Sequence, residues 1–376
     1  MNIKSILNSC HPKTFLAVNF GCRVNAAETN QLCQFFLNSG LSPFCLPLWG
    51  QRGTKGDFSP DLVIINTCSV TAKANIESLG KIRSLSNQFP NSQIVVTGCA
   101  CPANLKNINN LTFLTNYDKE LLLKPLHSSY THKIKDKFSH TNRFILKIQS
   151  GCNHGCTYCI VPSRRPALWS LPTKNAIDTV NQAVKNGYQE IIITGINLDL
   201  YEPGLSNLLE SLLTQTTIPL ISFGSVPLNC IDQKFIHLLS TFPSRLSNFL
   251  HIPIQSGSDK ILKLMHRPYD QKKIIKTFIS LKKISSPLVK GGTERGFGFG
   301  TDIIVGFPGE TDSDFQQTYD LCKKIGFSKI HVFKFSPRPN TPAQILFDQF
   351  PKLSKSTLKL RSAQLRKLSL QASPSA

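Results

Sequence analysis

Short, almost uninterrupted apolar runs alternate along this chain with stretches of helical periodicity, and each of the first three runs ends on a cysteine. Residues 14–20, 62–65 and 93–97 read as strands. Helices are predicted at 27–38, with Leu32, Phe35 and Phe36 turned inward, and at 72–87. Near-continuous apolar strands joined by helices require a parallel sheet covered on both faces. The strands close on Gly21-Cys22, Thr67-Cys68 and Gly98-Cys99. Parallel strands deliver their carboxyl ends to one edge, where open α/β sheets build their sites. Cys22, Cys68 and Cys99 are therefore predicted to converge although they are far apart in sequence. A single buried cysteine is ordinary core; three at one edge favour a shared role.

A polar stretch at 126–142 reads as a linker, and a second alternating series follows it. Its predicted strands are 144–149, 190–194, 220–224, 249–254, 302–305 and 330–335, with helices at 175–186, 259–265 and 312–325 between them. Six βα units suit a partial (β/α)6 barrel, since a closed eight-unit barrel typically needs ~250 residues. The loops at 150–159, 195–197, 255–258 and 306–310 should face one mouth. The glycine-rich stretch 290–300 fits neither a P-loop nor a dinucleotide fingerprint and reads as an ordinary loop. Residues 353–370 form a basic amphipathic helix whose Leu358, Leu365 and Leu368 pack back on the barrel. The expected fold class is thus α/β: an N-terminal three-layer parallel-sheet domain (1–125), a linker (126–142), a partial barrel (143–350) and a basic helix and tail (351–376).

The 376 residues carry 43 Lys+Arg against 22 Asp+Glu, a net charge of +21. No run approaches the ~18 apolar residues of a membrane span, and the start lacks the apolar core of a secretion signal. A cytoplasmic protein is expected. Most of the excess charge follows residue 125, and 352–376 hold six basic residues, Lys352 to Lys367, with no acid. A polyanion such as nucleic acid is the natural partner; solvated lysine faces are the plainer alternative. Twelve cysteines without a secretion signal point to metal or redox chemistry rather than disulfides.

Three of them lie in Gly151-Cys152-Asn153-His154-Gly155-Cys156-Thr157-Tyr158-Cys159, a C-x3-C-x2-C pattern. Three thiolates this close can hold three corners of a cubane iron–sulfur cluster, leaving the fourth iron open to a ligand. Zinc is the competing metal, with His154 as the fourth ligand, but the spacing is poor for a closed tetrahedral site.

This loop, followed by Ile160-Val161-Pro162, resembles the signature of radical S-adenosylmethionine enzymes, specifically the methylthiotransferases. The resemblance implies that Cys152, Cys156 and Cys159 hold a 4Fe-4S cluster whose open iron chelates S-adenosylmethionine, with Tyr158 beside the cofactor. It implies reductive cleavage of the sulfonium to a 5′-deoxyadenosyl radical. It extends to Gly21-Cys22-Arg23-Val24-Asn25 with Glu28, to Asn66-Thr67-Cys68-Ser69-Val70-Thr71 and to Thr97-Gly98-Cys99. In the family these blocks carry a second, auxiliary 4Fe-4S cluster, here on Cys22, Cys68 and Cys99. Further blocks match at 194–197, 251–259, 301–311 and 335–342. Thr194, Gly195, Asn197, Gln255 and Ser256, at strand ends, are candidates for cofactor contact. Arg338 either faces substrate phosphates or caps a turn. Cys10, Cys33, Cys45, Cys101, Cys230 and Cys322 read as structural or incidental.

Of the family's branches, the one acting on threonylcarbamoyladenosine beside the anticodon of tRNA is the most similar, through the Gly21 and Asn66 blocks, Lys147-Ile148-Gln149 and His331-Val332-Phe333. The resemblance also implies a reductant protein such as flavodoxin or ferredoxin, a sulfur donor and no membrane. The alternatives are a sister enzyme acting on isopentenyladenosine tRNA or a ribosomal protein, and a non-catalytic, cluster-carrying RNA-binding protein. Three departures stand out. Arg165-Pro166 replaces Arg-Gly, Phe223-Gly224-Ser225-Val226 lacks an expected carboxylate, and the sequence ends without the RNA-binding TRAM barrel. The basic second domain and tail are then expected to supply the phosphate contacts.

Overall fold

The chain divides into two compact units, Met1–Thr141 and Asn142–Ala376. A computed structural model describes residues 3–44, 59–69, 71–99, 105, 108, 110–124, 142–284 and 297–371. The predicted linker (Asn142 excepted), Cys45, Cys101 and 290–296 lie outside the described residues.

In the first unit the elements run α1 (Ile3–Cys10), β1 (Thr14–Asn19), α2 (Arg23–Asn38), β2 (Ser42–Pro43), β3 (Leu62–Thr67), α3 (Ala72–Gln88), β4 (Gln93–Gly98), β5 (Leu111–Phe113) and α4 (Asn116–Leu123). The strands are all parallel, in the order β2-β1-β3-β4-β5. Side chains alternate between the faces of a strand, and here both faces are apolar. Phe15, Ala17, Leu62, Ile64 and Val95 meet Leu32 and Phe36 of α2. Leu16, Val63, Ile65, Ile94 and Val96 meet Leu79, Ile82 and Leu85 of α3. The central strands β1, β3 and β4 are therefore covered on both faces, and the expected three-layer arrangement is present. β3 and β4 outrun their apolar runs because Thr67 and Gly98 still pair in register.

Glu28 on α2 and Lys119 on α4 form a 2.6 Å ion pair with both side chains fully buried. Two desolvated charges are tolerated only together, so removing one is costly. Glu28→Gln is expected to destabilise this unit by about 3–5 kcal/mol, read as an early transition in chemical denaturation of the full chain. Unchanged unfolding would show that the pair does not anchor α2 to α4.

The second unit runs β6 (Arg143–Ser150), α5 (Val161–Arg164), β7 (Trp169–Ser170), α6 (Thr173–Lys185), β8 (Glu190–Gly195), α7 (Leu205–Gln215), β9 (Leu220–Phe223), α8 (Gln233–Thr241), β10 (Phe249–His251), α9 (Asp259–Leu264), α10 (Gln271–Ile284), β11 (Gly298–Val305), α11 (Asp312–Ile325), β12 (Lys329–Lys334), α12 (Pro342–Gln349) and α13 (Lys355–Gln371). The strands form β7-β6-β8-β9 and β10-β11-β12, parallel apart from the short β7. At the seam Val226 N donates to His251 O at 2.8 Å, and Ile221 bridges Leu246. This is the expected six-strand partial barrel, with β7 added at its first edge. Leu146, Ile148, Ile191, Ile193, Ile303 and Val305 face the helices in one continuous core, which leaves the alternate residues on the concave face.

Two expectations need correction. The predicted loop at 290–300 gives way to strand from Gly298, which pairs with Phe249. Glycine suits the pairing: a Cβ at Gly298 would stand 3.1 Å from the Phe249 ring, and one at Gly300 2.7 Å from His251 Nδ1. The C-terminal helix does pack back, with Leu365 and Leu368 buried in the core. Its Arg361, counted above among the tail charges, is instead buried, bonding Glu310 at 2.5 Å and Asp312 at 2.6 Å. Arg366 donates to Val332 O. The tail's positive charge is thus partly spent inside the barrel unit.

Candidate active site

The loop after β6 is closed by Gly151, whose φ of +80° suits glycine and whose Cβ would stand 2.0 Å from Ala167 O. Cys152 N donates to Arg165 O at 3.0 Å, and Arg165 N to Val161 O at 2.8 Å. Arg165 provides both backbone bonds that fasten the loop, so Pro166, which lacks an N–H, costs it neither. Cys159 N donates to Cys156 O at 3.0 Å, and Val161 N to Cys159 Sγ at 3.4 Å. Cys152, Cys156 and Cys159 all line one cavity of about 200 Å³.

The electrostatics of that cavity suit a bound cation. Burial pushes the Cys159 thiol up to about 11 and raises Cys152, with neighbouring thiols adding to both. Thiolates in such a place need positive charge beside them. Iron ions held by three sulfurs supply it, so the donor set fits a cubane cluster with one open corner. The surrounding donors already aim at sulfur: Arg267 Nη1 lies 3.4 Å from Cys156 Sγ, and Asn197 Nδ2 3.8 Å from Cys152 Sγ.

Tyr158, Gly195, Asn197 and Gln255 line the same cavity. The Tyr158 ring stands edge-on to Phe307, its hydroxyl takes a 3.4 Å bond from Arg267, and burial pushes the phenol well above its ordinary range. Gln255 adopts φ +69°, uncommon for a residue with a side chain and a frequent mark of functional loops. Thr194 and Ser256 do not line the cavity. Thr194 is buried beneath Gly224, where a Cβ would come within 3.0 Å of its hydroxyl oxygen. Ser256 pairs with the Thr318 hydroxyl and accepts from Ser258 N, which pins the loop. At Arg338, the carbonyl closes a turn by accepting from Thr341.

Among the cavity residues that escaped the sequence reading are Asp199, Arg267 and Tyr269. Asp199 puts a carboxylate in the cavity from the β8 loop, although the Gly224 block lacks one, and it accepts from Asn229 Nδ2 at 3.2 Å. Arg267 bonds the Tyr269 hydroxyl at 2.9 Å and lies over its ring. The available signal was the run Arg267-Pro268-Tyr269 just past the matched 251–259 block.

In the first unit, Cys22, Cys68 and Cys99 follow β1, β3 and β4, adjacent strands whose carboxyl ends share one edge. Ser78 Oγ donates to Cys68 O and accepts from Cys68 N. Cys99 N donates to Thr67 O at 3.0 Å, and its carbonyl accepts from Ser69 Oγ at 2.7 Å. A Cβ at Gly21 would stand 2.7 Å from Cys68 Sγ, so the glycine before Cys22 leaves the room that the Cys68 side chain occupies. Cys68 and Cys99 are buried and Cys22 is exposed, an edge able to take a second three-thiol cluster. Cys33, Cys230 and Cys322 are buried and Cys10 is exposed.

Comparison with known proteins agrees with this architecture. Residues 146–322 match the radical SAM superfamily, and residues 14–116 match the uncharacterized protein family UPF0004. A radical S-adenosylmethionine methyltransferase, TsrM, from Kitasatospora setae, solved with cobalamin and a [4Fe-4S] cluster, superposes with a TM-score of 0.65 at 13% identity. The match covers 89% of this chain and 77% of that one, and it shows a common fold. The threonylcarbamoyladenosine tRNA methylthiotransferase MtaB of Thermotoga maritima is 31% identical over 366 residues, 91% of this chain and 79% of that protein. The enzyme of the same name from Bacillus subtilis is 33% identical, with 88% and 75% covered. Fold and cysteine loop thus define the class, a radical S-adenosylmethionine enzyme with its 4Fe-4S cluster. Within that class the chain belongs to the methylthiotransferase family of these relatives, and it is a transferase.

Proposed function

We propose that this protein inserts a methylthio group into N6-threonylcarbamoyladenosine next to the anticodon of tRNA. The observation that carries the chemistry is the three-thiol cavity at the barrel mouth. The substrate follows from the relatives, whose names state it, and from the blocks around Gly21, Asn66 and His331.

When bound, the cluster and S-adenosylmethionine supply reductive cleavage of a sulfonium and abstraction of a hydrogen atom. The chain's own residues hold and orient. Cys152, Cys156 and Cys159 would ligate the cluster, with Arg267 donating to the Cys156 sulfur and Asn197 to the Cys152 sulfur. Tyr158, Gly195, Asn197 and Gln255 would border S-adenosylmethionine, and Asp199 offers a carboxylate for its hydroxyl or amino groups. Cys22, Cys68 and Cys99 would hold the second 4Fe-4S cluster, the site of the sulfur to be inserted. Thr194 and Ser256 act by packing the strand ends rather than by contact.

A reductant protein such as flavodoxin or ferredoxin and a sulfur donor complete the reaction. The net charge of +21 suits tRNA phosphates, and the cytoplasm is where such a substrate resides. Among the described residues no helix is long and apolar enough to cross a membrane. The test is the nucleoside content of tRNA from cells lacking this protein. The methylthio derivative should vanish and threonylcarbamoyladenosine should accumulate.

A further inference from the structure

Three strands in the second half of the partial barrel carry a polar group that the cysteine cavity does not use. His251 ends β10, Asp302 lies within β11, and His331 stands opposite Asp302 in register on β12. His251 Nε2 is 3.0 Å and His331 Nδ1 3.3 Å from the same oxygen, Asp302 Oδ1. The two imidazoles tilt against each other with centroids 5.2 Å apart. The group is open to a ligand, since the His331 side chain is 44% exposed. Two residues further along β12, Phe333 pairs with Ile304 and leaves its own ring 37% exposed.

This group adjoins the cysteine cavity. Ile252 and Ile254 point into the helix-side core, so His251, Pro253 and Gln255 share the other face. Pro253 and Gln255 line the cavity, and Gln255 N donates to Asp302 O at 2.9 Å. Gly300 leaves the space that the His251 ring occupies.

Asp302 Oδ1 is hydrogen-bonded to His251 Nε2 and lies 3.3 Å from His331 Nδ1 as an ion-pair contact, so the same oxygen orients both rings. For both contacts to be hydrogen bonds, His251 carries its proton on Nε2 and His331 on Nδ1. His331 Nε2, on the more exposed ring, is then an acceptor for an N–H or O–H group. An aromatic ring beside a fixed acceptor matches a nucleobase that bears a polar substituent. We infer that His331, held by Asp302 and flanked by Phe333, reads the polar N6 substituent of the acceptor adenosine through its N–H or hydroxyl groups. His331 is thus a specificity-determining residue and Asp302 its positioning residue. The inference rests on the tRNA reading above.

The test uses the full chain with its clusters reconstituted, and two forms of one tRNA, with threonylcarbamoyladenosine or plain adenosine beside the anticodon. His331→Asn preserves a donor toward Asp302 and removes the outward nitrogen. It should weaken binding of the threonylcarbamoyl form about tenfold, the size of one lost hydrogen bond, and leave the plain form within about twofold. Circular dichroism and iron content should stay at wild-type levels. His331→Gln, whose amide reaches the Nε2 position, should recover part of the discrimination.

Equal loss on both tRNAs, or none on either, would overturn the inference. So would a stoichiometric zinc or iron ion present in the wild type and lost from His331→Asn, which would make the group a metal site. Wild-type protein that modifies isopentenyladenosine tRNA and not the threonylcarbamoyl form would overturn the substrate reading and this inference together. Wild-type turnover of the threonylcarbamoyl form with His331→Asn indifferent would overturn this inference alone.

Discussion

Cys152→Ala, Cys156→Ala and Cys159→Ala are each expected to abolish formation of 5′-deoxyadenosine and to lower the iron content from about eight to about four per chain. The reason is local. The three sulfurs line one cavity, and among the described residues no other cysteine lines it. Alanine removes a ligand together with the acceptor of Asn197 at Cys152, of Arg267 at Cys156 or of Val161 N at Cys159. The remaining iron would sit in the first unit, and its persistence shows that the chain still folds. Full cleavage activity in any of the three variants would remove this loop from the chemistry.

Cys68→Ala carries the second large effect, of a different kind. Cys68 is buried, with both backbone groups tied to Ser78 and its sulfur beside Gly21. Losing the sulfur should cost about four irons and all methylthio insertion, while 5′-deoxyadenosine still forms, because the barrel cavity keeps its three cysteines. The same split is expected for Cys22→Ala and Cys99→Ala, whose residues follow the neighbouring strands. A reaction that cleaves S-adenosylmethionine without making product would mark this edge as the site of the inserted sulfur. Retention of about eight irons in all three variants would contradict the assignment.

Much of this was legible from local pattern. The strands of both units announce themselves as apolar runs, and α11 occupies Asp312–Ile325, the bounds read from periodicity. The cysteines were legible for a similar reason: parallel strands share an edge, so strand-end residues fall together whatever their separation. What escaped depended on distant partners. Arg267 meets Cys156 across 111 residues and Arg361 meets Glu310 across 51, and no periodicity encodes such pairs. Arg361 was counted among the tail charges offered to phosphate because its acid partners, Glu310 and Asp312, lie far away in the sequence. Gly298 and Gly300 were misread as loop because their use, making room for the Phe249 and His251 rings, exists only once β10 lies beside β11. The carboxylate of Asp199 was missed because it enters the cavity from a different strand end than the family block suggests.

The central claim is that this protein carries out methylthio insertion on threonylcarbamoyladenosine, and nucleoside mass spectrometry of tRNA tests it most directly. In cells lacking the protein, the account predicts that methylthio-threonylcarbamoyladenosine disappears and its unmethylthiolated precursor accumulates. The wild-type chain should restore the product, and the Cys152→Ala and Cys68→Ala chains should not. An unchanged level of methylthio-threonylcarbamoyladenosine in the deletion strain would contradict the account, as would restoration by either cysteine variant.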